Sequence, residues 1–182
     1  MKVLDSNPNI SNILILLTFF ALFIKIKSLI FIIERVALKN NININIVLLN
    51  DDAQIPKKQH EIDIGYDLFS CKEYKLEPKK ITIINTGISI ELPINCGGFV
   101  LPRSRLASKH GITSINSPGL IDPGYTGEIK VPLINHSDNS YDIKSGDRFA
   151  QLVFINVNNA DFNEVEKLNN TIRADKGFGS TG

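Results

Sequence analysis

The chain has 182 residues, enough for one domain with a sizeable core plus an appendage. Lys and Arg number 20 against 19 Asp and Glu, so the net charge of +1 excludes a global basic field for nucleic acid and an acidic tail. Charged residues are 21% and hydrophobic residues 43%, which excludes a wholly disordered chain. The two cysteines, Cys71 and Cys96, are too few for a disulfide scaffold or a Cys-rich zinc module, and they point to a reducing compartment. Trp is absent and Arg is scarce: four of the five fall at 103, 105, 148 and 173, places where a bidentate fork is worth its use.

Residues 1–43 read as a hydrophobic extension and linker. Ile13 to Ile24 is an unbroken apolar run apart from Thr18, followed by Lys25, Ile26, Lys27 and a second run, Leu29 to Ile33. The first run alone is shorter than the ~20 residues a spanning helix needs. Joined, Ile13 to Ile33 holds 17 apolar residues against two lysines. At roughly −0.3 to −0.6 kcal/mol per apolar residue and +2.5 to +3.5 per lysine, insertion comes out near zero or slightly favourable. The stretch reads as a hydrophobic helix, either a membrane-associating segment through residues 13–33 or an incidental extension. Lys25, Lys27, Arg35 and Lys39 would keep the C-terminal domain in the cytosol. Asn40 to Asn45 alternates Asn and Ile, a linker or the lead-in to an edge strand.

From Ile46 the pattern becomes that of short strands. Ile81–Ile84, Ile88–Leu92, Phe99–Leu101, Ile129–Ile134, Phe149–Ile155 and Val165–Leu168 are β-type runs punctuated by Gly, Pro, Asn and Asp. Such spacing predicts an all-β sandwich or barrel. One short helix is expected over Ser104–His110, capped by Ser104 and stopped by Gly111. No βαβ rhythm or P-loop is present.

Four stretches carry chemistry. In Pro102-Arg103-Ser104-Arg105 a strand gives way to a helix start beside two guanidinium forks, an anion site in outline. In Gly119 to Glu128, Asp122 and Tyr125 sit on a tight Gly-Pro-Gly hairpin, where a carboxylate can serve as a general base. In Gly146-Asp147-Arg148-Phe149-Ala150-Gln151 a turn enters a strand; Arg148 and Gln151, three apart, face opposite sides unless a bulge intervenes. The tail from Arg173 to Gly182 joins glycines to two cations, Phe178 and two hydroxyls, the makings of a lid that orders on a ligand. Each has a bland reading when taken alone: an N-cap, a turn former, a surface Arg, a loose end. His60, His110 and His136 have no metal-ligand spacing, and the cysteines read as buried small hydrophobes.

Taken in order, these stretches and Gly65-Tyr66-Asp67-Leu68 resemble the five motifs of the homotrimeric dUTP diphosphatases, the dUTPases. The resemblance runs from about Ile46 to Gly182. It implies a distorted jelly-roll β domain (44–170), a flexible C-terminal arm (171–182), and a homotrimer with shared active sites. It implies hydrolysis of dUTP to dUMP and diphosphate, with Mg²⁺ held through substrate phosphates and water and not by the protein directly. This reaction keeps uracil out of DNA and supplies dUMP for thymidylate synthesis. In that reading Asp122 deprotonates the water that attacks the α-phosphorus. Asn116 and the backbone around Leu120, Ile121 and Tyr125 read uracil, and Tyr125 packs against deoxyribose. Arg103, Ser104, Arg105 and Gln151 hold phosphate, with Lys130 a neighbour. Asp67 pairs with Arg148 in support. From the tail, Phe178 covers the base, Arg173 meets the γ-phosphate, and Gly179, Ser180 and Thr181 complete the arm. Arg105 and Lys176 stand where the family usually has Gly, and Ile64 where a small residue is common. A dCTP deaminase on the same fold is the nearest rival, but its catalytic Glu would fall at Pro132, which cannot shuttle a proton. A non-catalytic nucleotide-binding jelly roll is the rival of a different class.

Overall fold

The computed structural model describes residues 10–37, 41–172 and 174–175. The chain divides into two units, Met1–Ile44 and Asn45–Gly182. The first contains one helix, α1 (Ile10–Ala37). Its twelve-residue apolar run is longer than three turns and therefore covers every side of the helix. All the described side chains of α1, from Ile15 to Phe31, are exposed. Among the described residues no helix is long and apolar enough to cross a membrane.

Among its described residues the second unit has ten strands and one short helix. β1 (Asn45–Leu48), β4 (Ile81–Glu91), β8 (Glu128–Asn135) and β6 (Ile112–Ser114) form one sheet in the order β1-β4-β8-β6. β2 (Tyr66–Phe69), β10 (Arg148–Asn156), β5 (Cys96–Pro102) and β7 (Gly119–Ile121) form the second, in the order β2-β10-β5-β7. β3 (Tyr74–Leu76) and β9 (Tyr141–Ile143) make a two-stranded ribbon. Every pairing is antiparallel. The Asn/Ile repeat does lead into an edge strand, β1.

Period-2 burial builds the core. On β8, Ile129, Val131, Leu133 and Asn135 are buried in alternation, while Lys130 points to solvent. They join Ile84, Ile88 and Ile90 of β4, and Leu68, Val100, Phe149 and Leu152 of the second sheet are buried with them. Asn135 is fully buried but satisfied: its amide donates to the carbonyls of Leu76 and Asn139, and its oxygen accepts from the Ser137 N–H and hydroxyl.

The structure departs from the sequence expectation in four places. Ile81–Ile84 and Ile88–Leu92 are one strand, β4, whose register slips between Asn85 and Ser89. Gly87 absorbs that slip at φ +69°, where a Cβ would lie 2.5 Å from the Asn50 amide nitrogen. Val165–Leu168 is not a strand: it pairs with nothing among the described residues, and Val165 and Leu168 are exposed. The helix α2 (Ser104–His110) has the expected span, and Gly111 ends it in the left-handed region, but its N-cap is Arg103, without a side-chain cap. Finally, β7 and β8 flank the 122–127 turn yet belong to different sheets, so the turn is a crossover and not a hairpin tip. β8 finds its partners in β4 and β6, and β7 in β5, leaving no ladder between the two.

Candidate active site

The site begins with a buried carboxylate. Asp67 lies on β2, opposite Gln151 of β10. Its Oδ1 is 3.1 Å from Arg103 Nε and its Oδ2 is 3.1 Å from an Arg148 terminal nitrogen. Gln59 Nε2 also donates to Oδ2, at 2.9 Å. Arg103 donates from a second nitrogen to the Arg148 carbonyl at 3.0 Å. A guanidinium has five N–H donors in a rigid fork. These two contacts engage Nε and one terminal nitrogen of Arg103 and leave the other terminal nitrogen for a ligand. The arginine that fails to cap α2 with its side chain is thus committed to the carboxylate beside it.

A bulge makes this clamp geometrically feasible. The β2–β10 register shifts between Arg148 and Ala150, leaving Phe149 as the extra, fully buried residue. Arg148 and Gln151 would otherwise face opposite sides; the bulge brings both to the Asp67 side. Gln151 donates to the Pro102 carbonyl at 3.0 Å, which ties β10 to the start of the Arg103 segment. Gly65 leaves room for the Gln151 side chain in this position, since a Cβ would stand 2.5 Å from its Oε1 and displace it.

Around the clamp opens a cavity of about 520 Å³, lined by Asp67, Arg103, Ser104, Arg105 and Gln151 with Gln59 and the 62–65 loop. Arg105 and Ser104 are exposed at its rim. Arg105 also lines an adjoining 250 Å³ cavity floored by Leu106, Ile143 and Phe149. The exposed Ile64 side chain stands on the wall of the larger cavity without filling it.

The remaining predicted residues gather elsewhere. Asn116, Leu120, Ile121, Asp122, Tyr125 and Lys130 line a separate cavity of about 220 Å³, with Val100 and Ile129 at its back. Asp122 is exposed, and its carbonyl accepts the Tyr125 N–H at 3.0 Å to close the turn. The Tyr125 phenol folds back over Gly127 and donates to the Glu128 carbonyl at 2.9 Å. A Cβ on Gly127 would come within 2.7 Å of that phenol oxygen. Behind the turn, the half-buried Glu128 accepts from the Asn85 amide and the Gly87 N–H and sits 3.4 Å from Lys130. The Asn116 amide oxygen accepts from the Ser114 hydroxyl at 2.8 Å.

The two groups cannot meet within one chain. Ile121 pairs with Gly98 on β5, so Asp122 falls level with Gly97, six residues from Arg103. At about 3.3 Å per residue that is roughly 20 Å, more than both side chains can bridge. Arg173, Phe178, Gly179, Ser180 and Thr181 lie outside the described residues, as does Lys176.

Two residues that motif reading missed are part of this arrangement: Gln59 on the Asp67 carboxylate, and Asn85 on Glu128 behind the turn. Amides with no sequence companion carry no signal until a fold sets them beside a charge. His110 packs at a tilt against Tyr141 with ring centroids 4.6 Å apart, and His60 and His136 are exposed. Both cysteines are buried and free, and burial pushes the Cys96 thiol above its ordinary value against the opposing effect of a backbone hydrogen bond with Ile155.

A family model described as dUTPase matches residues 51–182. The chain belongs to the dUTPase family. A deoxyuridine 5'-triphosphate nucleotidohydrolase of Crocosphaera subtropica is 48% identical over 139 residues, which are 76% of this chain and 98% of that protein. The dUTPase of Staphylococcus bacteriophage 80alpha, solved with dUPNHPP, superposes with a TM-score of 0.72 at 29% identity over 77% of this chain and 98% of that one. A mutant dUTPase from phage phi11 of S. aureus, whose structure concerns a structural Mg(II) ion, gives a TM-score of 0.66 at 25% identity over 70% of this chain and 99% of that one. The jelly-roll-like β fold is that of the family.

Proposed function

We propose that this chain hydrolyses dUTP to dUMP and diphosphate, in sites that two or more copies of a homotrimer complete together. One observation carries the reading. Each chain holds two complementary half-sites about 20 Å apart along β5 and β7. One is a cavity of a size to take a triphosphate, where Arg103 and Arg105 stand beside Asp63 and Asp67, and the other a smaller cavity with a carboxylate at its mouth. Closed symmetry can set one half-site of a copy against the other half-site of its neighbour.

Chemically, the α-phosphorus must be attacked by water while the α–β anhydride breaks and diphosphate leaves. Asp122, exposed on a closed turn, orients that water and takes its proton. The Asn116 amide and the backbone of Leu120 to Tyr125 read the uracil edge, and the tight turn leaves no room for a 5-methyl group. Tyr125 packs where a 2′-hydroxyl would stand. The free terminal nitrogen of Arg103 and the Arg105 guanidinium offset part of the roughly four negative charges of the triphosphate, and the Ser104 hydroxyl and Gln151 amide donate to its oxygens. Lys130 adds a cation beside Asp122. The 171–182 arm, with Arg173 on the γ-phosphate and Phe178 on the base, excludes water from the loaded site.

Among the described residues no three His, Cys, Asp or Glu side chains could hold a metal ion together. The donor set fits Mg²⁺ carried in by triphosphate oxygens and waters, where it would lower the charge the attacking water approaches. The catalytic unit works in the cytoplasm, and α1 offers its exposed apolar surface as a membrane contact.

The test is direct. The purified full chain is incubated with dUTP and Mg²⁺, and dUMP and diphosphate are quantified. Release of both supports the reading; tight binding of dUTP without turnover would favour a non-catalytic nucleotide-binding module.

A further inference from the structure

We infer that Gln59 is a positioning residue for the triphosphate, acting through Asp67 on Arg103. The inference rests on the functional reading above and adds to it a residue outside the five motif stretches.

Asp67 has two carboxylate oxygens and three side-chain partners. Arg103 takes Oδ1, while Arg148 and Gln59 share Oδ2. The orientation of the Arg103 fork follows from the plane of this carboxylate, because its Nε–H points at one oxygen. A carboxylate held at one oxygen by each guanidinium can still rock about its Cβ–Cγ bond. A third donor on Oδ2, from a different direction, opposes that motion.

The loop is built to deliver such a donor. Lys57 and Asp67 form an antiparallel bridge in which the Asp67 N–H donates to the Lys57 carbonyl at 2.8 Å. Two residues further on, Gln59 is therefore tethered beside β2. The loop is closed again by the Asp63 N–H on the His60 carbonyl at 3.0 Å and the His60 N–H on the Asp63 carboxylate at 2.9 Å. Gln59 itself is exposed on the wall of the phosphate cavity, with only its amide end engaged. It contributes little to the core, so its role is one of aim.

The residue type suits the role. A Lys or Arg here would bring a third cation to Asp67 and draw the carboxylate away from Arg103. A carboxylate here would repel Asp67 and compete for both guanidiniums. A neutral amide donates without altering the charge that the substrate meets.

The experiment uses the full chain and two variants, Gln59→Leu, similar in size but without a donor, and Gln59→Glu, similar in shape but acidic. The non-hydrolysable triphosphate analogue dUpNHpp reports on the phosphate half-site, and dUMP reports on the nucleoside half-site. Gln59→Leu is expected to weaken dUpNHpp by about 3- to 10-fold, and Gln59→Glu by more than about 10-fold. dUMP affinity should stay within about twofold, and kcat/KM for dUTP should fall in step with dUpNHpp affinity. Unchanged dUpNHpp binding in both variants would overturn the inference, and so would equal losses for dUpNHpp and dUMP, which would mark a merely structural loop. Failure of the unmutated chain to bind dUpNHpp would strike the functional reading instead, so the two failures are told apart.

Discussion

Two side chains bear most of the proposed chemistry, and they sit in opposite surroundings. Asp67 is buried and triply bonded; Asp122 is exposed on a turn. A carboxylate with two guanidiniums and an amide on it is an anchor and cannot be spared to take a proton. The open one is available to a water. Asp122→Asn keeps the shape and removes the basicity. It is expected to lower kcat by about 10²- to 10⁴-fold while the Kd for dUpNHpp stays within about tenfold. Steady-state diphosphate release and calorimetric binding measure the two quantities. Normal turnover in this variant would take Asp122 out of the mechanism.

Among the elements, the 122–127 turn shows most clearly how local sequence and packing share the work. It joins β7 of one sheet to β8 of the other, so no ladder holds its two arms together. It is secured instead from behind: Glu128 clasps the slipped stretch of β4 at Asn85 and Gly87, and the Ser89 hydroxyl donates to the Thr126 carbonyl. Tyr125 can lie back over the turn only because residue 127 has no side chain. Gly127→Ala should therefore lift the phenol while leaving the core alone. Selectivity for dUTP over UTP is expected to fall by about tenfold, with a thermal midpoint shifted by less than about 4 °C. Competing-substrate kinetics and a melting curve check both; unchanged selectivity would mean that Tyr125 does not police the sugar.

For the molecule as a whole, the separation of the half-sites makes a quantitative prediction. Arg103→Ala and Asp122→Asn should each be nearly inactive, but a 1:1 mixture unfolded and refolded together should recover activity. If each site takes Arg103 from one copy and Asp122 from another, about a quarter of the sites in randomly mixed trimers carry both native residues. Recovery near that fraction supports shared sites, and none at all would place each site within a single chain. The helical extension makes a second. Its described side chains are exposed and mostly apolar. Full-length protein should co-sediment with anionic lipid vesicles while a 45–182 fragment stays in the supernatant; equal partitioning would rule out the contact.

Composition, strand punctuation and the order of five short motifs were enough to determine the all-β class, the span of α2, the family, and most of the residues that line the two cavities. These depend on local chemistry: where a Gly is needed, where a Pro ends a strand, where an Arg is worth its use. What only the tertiary structure decided is which residues face each other. The bulge at Phe149 that turns Arg148 and Gln151 to the same side follows from pairing with β2. The sheet change across the Asp122 turn depends on which partners β7 and β8 find. Gln59 acquires its role from the strand bridge that sets it over Asp67. The apolar residues Val165 and Leu168 have the composition of a strand but no partner among the described residues, since a strand is defined by its neighbour and not by itself. Spacing along a chain encodes periodicity, whereas register, bulges and cross-sheet contacts arise from packing between segments far apart in sequence.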